Sequence, residues 1–237
     1  TGHETLATLR ERLAPRRPAF AIFVDGRNEA FAQLWNDYRD DYAHYRDPSY
    51  ELVHSNLAWK RLFRVSRLAM AVVTRGELFG FSMRREHPLY GAIRYGLLPS
   101  PAQARAAAAD PARARAFEAN LRALHAELAS EGIGLVLATV PFWQERFASG
   151  VFDPASDYID AIGSHVRANN ALVRALAVEL GTPLVDLEPL SEERWLEDDC
   201  HFNPQGEEQV AERMRAAAQP LLAARRRASY GTGGASD

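Results

Sequence analysis

The sequence predicts an α/β protein built on a parallel sheet covered on both faces. Three observations carry that reading. Short, mostly apolar runs stand at 19–24, 134–140 and 183–187, the first of them continuously apolar, and each follows a segment with helical periodicity. Apolar runs that do not alternate with polar residues mark strands buried on both sides. The unit of helix, short loop and buried strand occurs three times, which sets the strands parallel with helical crossovers between them.

Taken in order, Leu6, Leu9 and Leu13 lie on one face of a helix over Glu4–Leu13, with Arg10 and Arg12 outward. Pro15 and Pro18 end it, because proline cannot donate to the preceding turn. The first strand is Ala19-Phe20-Ala21-Ile22-Phe23-Val24, followed by the turn Asp25-Gly26-Arg27-Asn28-Glu29. A second helix begins near Arg113, places Phe117, Leu121, Leu124 and Leu128 on one stripe, and ends at Gly132. Its strand is Gly134–Val140, closed by Pro141. The third helix spans Ala161–Leu180 with Gly181 at its C-cap, and its strand is Pro183–Leu187. A last helix over Glu207–Met214 carries Val210, Ala211 and Met214 on one face.

Residues 1–30 and 113–224 therefore make one α/β core. Between them, residues 31–112 break the alternation and read as an inserted, mostly helical cap. There Phe31, Leu34, Trp35, Tyr38, Tyr42 and Tyr45 form one stripe, read as cap core or as the wall of an acyl or glycan pocket. A second amphipathic helix from Leu57 to about Val73 has the polar face Lys60, Arg61, Arg64 and Arg67. It reads as a solvated face, and its shape also suits an interfacial helix. Residues Pro99–Arg115 are alanine-rich and helical in part. The tail 225–237 ends in a Gly/Ser-rich stretch and is expected to be disordered.

Composition narrows the partners. With 47% hydrophobic and 25% charged residues the chain is an ordinary globular one. A net charge of −3 leaves no basic field with which to bind nucleic acid. The single cysteine, Cys200, excludes an internal disulfide. No apolar run approaches the roughly 20 residues that cross a bilayer. The chain opens Thr1-Gly2-His3-Glu4, with neither an initiator methionine nor a signal peptide, so the reading leaves the compartment open.

The chemistry concentrates in Asp198-Asp199-Cys200-His201-Phe202-Asn203-Pro204-Gln205-Gly206. An acid three residues before a histidine can reach the imidazole Nδ1–H without distorting the backbone. It then holds one tautomer and leaves Nε2 free to accept a proton from a nucleophile. In open parallel sheets, sites form at the carboxyl ends of strands. Gly26-Arg27-Asn28 follows the first strand, the Asp198/His201 loop follows the third, and Gly2 opens the first helix. An asparagine amide and a glycine N–H beside a base are the neutral donors that an oxyanion hole requires. As metal ligands, four adjacent residues close a tetrahedral shell poorly, and no second cluster supplies the rest. No metal and no cofactor is expected.

These blocks resemble those of the SGNH (GDSL-type) hydrolases. The last block of that family, Asp-x-x-His before an Asn/Pro/Gly helix start, resembles 198–206 closely. Its Gly-x-Asn-Asp block after a proline-introduced strand resembles Pro18–Glu29, with Gly26 and Asn28 in place and Glu29 where aspartate is usual. Gly2 fits the glycine that opens the preceding helix, and Thr139-Val140-Pro141 is similar to the end of the following strand. The resemblance covers 2–29 and about 113–220. It implies a flavodoxin-like three-layer αβα fold with His201 as general base and Asp198 as its orienter. Asn28 and the Gly2 amide would bind the oxyanion. The family's first block, a strand followed by Gly-Asp-Ser with the nucleophile, has no counterpart in the sequence. Its expected place is upstream of Thr1, so the chain reads as an N-terminally truncated hydrolase that is inactive as it stands.

The expected activity is hydrolysis of a carboxylic, acyl or acetyl, ester in a small-molecule, lipid or glycan substrate. The alternatives are O-acyl transfer to a glycan or polymer hydroxyl with the same residues, and a non-catalytic binding module that keeps the pocket. Peripheral membrane contact through 57–73 is a separable expectation.

Overall fold

The structure is a computed structural model that describes residues 18–36, 38, 98–150 and 157–231. Its centre is a three-stranded parallel sheet in the order β1 (Phe20–Val24), β2 (Gly134–Ala138), β3 (Leu184–Val185). Phe20 pairs with Gly134 and Val24 with Ala138, while Leu137 pairs with Leu184. Six helices accompany the sheet among the described residues. They are α1 (Arg27–Gln33), α2 (Pro101–Ala107), α3 (Pro111–Ser130), α4 (Gln144–Gly150), α5 (Ile159–Leu180) and α6 (Pro204–Gly231).

The strand period of two sorts the apolar runs onto two faces. Phe23, Leu135 and Leu137 pack against Phe117, Leu121, Leu124 and Leu128 of α3 and Val173, Leu176 and Ala177 of α5. Val136, Ala138 and Val185 face the other way, with Phe20 and Ile22, onto Val210, Met214, Ala217 and Leu221 of α6. The sheet is thus sandwiched between helices on both faces, as its non-alternating apolar strands require. Phe117 is wholly buried, and such a side chain contributes roughly 1.5–3 kcal/mol.

The helix ends follow their sequence signals. Asp110 caps α3 by accepting from the Ala112 amide at 2.9 Å, with Pro111 in the first turn. Ser100 and Gln103 form a reciprocal capping box on α2. Gly181 ends α5 in the left-handed conformation.

All three strands are shorter than the sequence predicts, β1 by Ala19 alone and the other two by more. β2 stops at Ala138 because both main-chain groups of Val140 bond to Asn170. β3 stops at Val185 because the Leu187 amide donates to Thr139 Oγ1 instead of to a neighbouring strand.

The edges of the expected cap are woven into the core. Phe31, Leu34, Leu98 and Ala104 share one buried cluster with Val140, Phe142, Phe147, Tyr158 and Ile162. The helix that carries Phe31 begins at Arg27 and is capped at Leu34, short of the aromatic stripe expected to continue to Tyr45. Tyr42, Tyr45 and the basic helix 57–73 lie outside the described residues, as do Gly2 and the helix 4–13. The tail corrects the expectation of disorder from Arg225. Helix α6 runs on to Gly231, through an Ala/Arg sequence of high helical propensity. Among the described residues no helix is long and apolar enough to cross a membrane.

Candidate active site

Three loops leave the carboxyl edge of the sheet, and buried side chains pin the first two of them. After β1, Gly26 takes φ +136°, a conformation that β-carbon-bearing residues rarely adopt. Its carbonyl accepts the Asn169 amide at 2.8 Å, and the Gln33 amide donates to Asn169 Oδ1 at 3.1 Å. Asn170 completes both backbone bonds of Val140 after β2, at 2.9 Å each. Two consecutive asparagines of α5, both fully buried, therefore hold two successive strand-end turns. Two asparagines in mid-helix are weak helix formers on an apolar face, and that mismatch is the signal by which the sequence could have revealed them.

After β3, the loop that carries the histidine closes on itself. Leu196 and Phe202 form an antiparallel bridge. The Glu197 amide donates to the His201 carbonyl at 2.8 Å, and the Asn203 amide to the Trp195 carbonyl at 3.0 Å. Asn203 then caps α6: its Oδ1 accepts the Gly206 amide at 2.9 Å, and its own amide donates to the Arg194 carbonyl at 3.0 Å. Position 206 must be glycine because a Cβ there would stand 2.1 Å from the Trp195 carbonyl oxygen. The Asn-Pro-Gln-Gly sequence is thus a cap, a first-turn proline and a close approach that together seat the histidine loop on its helix.

Within that loop Asp198 uses both oxygens. Oδ1 accepts the amides of Cys200 (2.9 Å) and His201 (2.8 Å), and Oδ2 lies 2.6 Å from His201 Nδ1. Partial burial acts upward on this carboxyl. The Cys200 amide, the His201 ring and the His201 amide outweigh it and hold the group down at about 2. The carboxylate is therefore ionised at neutral pH and accepts the Nδ1 proton, which leaves Nε2 as the acceptor. The His201 side chain is 75% exposed, and among the described residues Nε2 meets no hydrogen-bond partner.

Asn28 is exposed in the first turn of α1, next to Arg27. Arg27 joins this turn to the histidine loop. Its Nε donates to Asp199 Oδ2 at 2.9 Å and its Nη2 to the same oxygen, while the guanidinium lies 5.0 Å from the centre of the Phe31 ring. The Asp199 carbonyl accepts the Trp143 amide from the loop after β2 at 2.8 Å. The strand-end elements bearing Asn28, Asp198 and His201 are thereby tied together, whereas Gly2 lies outside the described residues. Glu29, which stands where the resembled block has aspartate, is fully buried in α1.

No family model, curated protein or solved structure matches this chain. Its chemistry rests on its own residues.

Asp198, Cys200 and His201 are the one group among the described residues that could hold a metal ion, their donor atoms lying within 4.8 Å of one another. They fit an ion poorly. Two ligands on one tetrahedral zinc stand about 3.3 Å apart, whereas Nδ1 and Oδ2 sit at 2.6 Å, a distance that suits a shared proton. Burial first, and then Asp199 and Asp198, push the Cys200 thiol up to about 12 against the opposing charge of Arg27. It stays protonated and is a poor nucleophile.

Proposed function

We propose that the protein is an SGNH-type serine hydrolase that cleaves carboxylic esters. The observation that carries this reading is the 2.6 Å contact between an ionised Asp198 and His201 Nδ1, with Nε2 left open to solvent. In this reading Nε2 accepts the proton of a serine hydroxyl as its oxygen attacks the ester carbonyl. The Asn28 amide and the Gly2 N–H donate to the resulting oxyanion. The imidazolium, stabilised by Asp198, returns the proton to the departing alcohol, and water then releases the acyl group with His201 again as base. The sequence contains no Gly-Asp-Ser, and the reading takes the nucleophile from residues preceding Thr1. No cofactor takes part.

The test is to express the protein from its gene together with the codons before Thr1. Hydrolysis of p-nitrophenyl acetate and butyrate and labelling by a fluorophosphonate are then measured, with His201→Gln alongside. Hydrolysis and serine labelling that both vanish in His201→Gln support the reading. Hydrolysis that survives His201→Gln, or a protein that neither labels nor turns over, overturns it.

A further inference from the structure

We propose that Arg27 and Asp199 are a positioning pair that sets the oxyanion donor Asn28 relative to the base His201. The proposal rests on the ester-hydrolase reading and extends it to two residues that neither attack, protonate nor bind the oxyanion.

Placement is the first argument. Arg27 immediately precedes Asn28, and Asp199 stands between Asp198 and His201, so the ion pair joins the backbone flanking one functional group to that flanking the other. These backbones are 172 residues apart in sequence. The second argument is shielding. The two side chains are only 20% and 16% exposed, so water screens their attraction far less than it screens a surface pair.

Two donors of one guanidinium converge on a single carboxylate oxygen, which fixes direction as well as distance. Phe31, whose ring lies under the guanidinium, is itself anchored in the buried cluster. The last argument is that Asp199 is held from both of its polar ends. Its carboxylate engages the loop after β1, and its carbonyl engages the Trp143 amide after β2. A cation in the first turn of a helix also opposes the helix dipole, so Arg27 sits there at a cost that its carboxylate partner offsets.

Reacting groups misplaced by about 1 Å lose roughly a hundredfold in rate. The pair therefore acts on turnover and not on substrate affinity.

The test has two arms. Amide hydrogen exchange is followed in this chain for wild type, Arg27→Met, Arg27→Lys and the shape-preserving Asp199→Asn. The amides of Trp143, Cys200 and His201 are expected to exchange about tenfold faster or more in Arg27→Met and Asp199→Asn. Arg27→Lys falls between, because one ammonium cannot reproduce the two convergent donors. The Leu137 amide, inside the sheet, stays at its wild-type rate. In the second arm, ester hydrolysis by the protein carrying its preceding residues shows kcat reduced roughly 10–100-fold with KM within about twofold, and Arg27→Lys recovers part of it.

Unchanged exchange in both Arg27→Met and Asp199→Asn overturns the pair, whether or not esters are cleaved. Faster exchange with a KM effect and no kcat effect overturns the positioning role. Faster exchange in the two variants, together with a wild-type protein that cleaves no ester, overturns the catalytic reading on which that role rests.

Discussion

At the scale of single residues, the Asp198–His201 contact governs the expected chemistry. Asp198→Asn removes the charge that fixes the tautomer, and kcat should fall about 10²–10⁴-fold in the ester assay while the fold persists. The carboxyl of Asp198, held at about 2 against a usual value of 3.8, contributes stability that is complete above pH 3.8. That contribution is lost as pH falls towards 2. Asp198→Asn should therefore flatten the acid limb of the stability curve in that window, as read by urea unfolding at successive pH values.

This dyad was legible in the sequence because it is local, three residues apart on one loop. Arg27 and Asp199 were not legible as partners, although both stood inside recognised blocks. Their contact depends on two loops that only the sheet order brings side by side.

At the scale of elements, α5 carries more than its apolar stripe. Asn169→Ala takes the acceptor from the buried Gln33 side-chain amide and leaves the Gly26 carbonyl with the Ala30 amide as its donor. It should cost about 1–3 kcal/mol in urea unfolding, with ester hydrolysis reduced because the Asn28 turn loosens. Gly206→Ala drives a methyl group against the Trp195 carbonyl oxygen. The histidine loop must shift on α6, at a cost of about 1–3 kcal/mol, with a disproportionate loss of turnover.

The helices and the three apolar strands could be read from periodicity and caps, since these are local signals. Strand ends could not. Asn170 and Thr139 take over backbone groups that periodicity assigns to the ladder, and side-chain competition of that kind leaves no periodic trace. The extent of α6 escapes composition for a different reason. The Gly-rich last residues suggest disorder for the whole tail, whereas the Ala/Arg segment before them is a good helix former and continues the helix to Gly231.

At the scale of the whole molecule, acid should loosen the joint between α2 and α5. His165 is buried in α5 with Nε2 3.1 Å from the Ala104 carbonyl. Burial first lowers its proton affinity, the Ala104 carbonyl partly offsets this, and Arg113 lowers it further, to about 4 from 6.5. The folded state therefore holds His165 neutral where the unfolded chain would protonate it. Stability is complete above pH 6.5 and drains away as pH falls to 4, by about 3 kcal/mol over that interval. Urea unfolding between pH 7 and 4 should show this slope, and His165→Gln should lack it.

The buried cluster that joins Phe31 and Leu34 to Leu98 and Ala104 has a consequence for how the protein can change. The chain leaves and re-enters the core at one anchored place. Arg113 Nη1 donates to the Gln33 carbonyl on the outgoing side, and the Tyr158 hydroxyl donates to the Pro99 carbonyl on the returning side. Both described ends are thus fixed to the interior that also holds α1, the helix whose first turn carries Asn28. A substitution that loosens either anchor therefore acts on that turn as well as on its own neighbourhood.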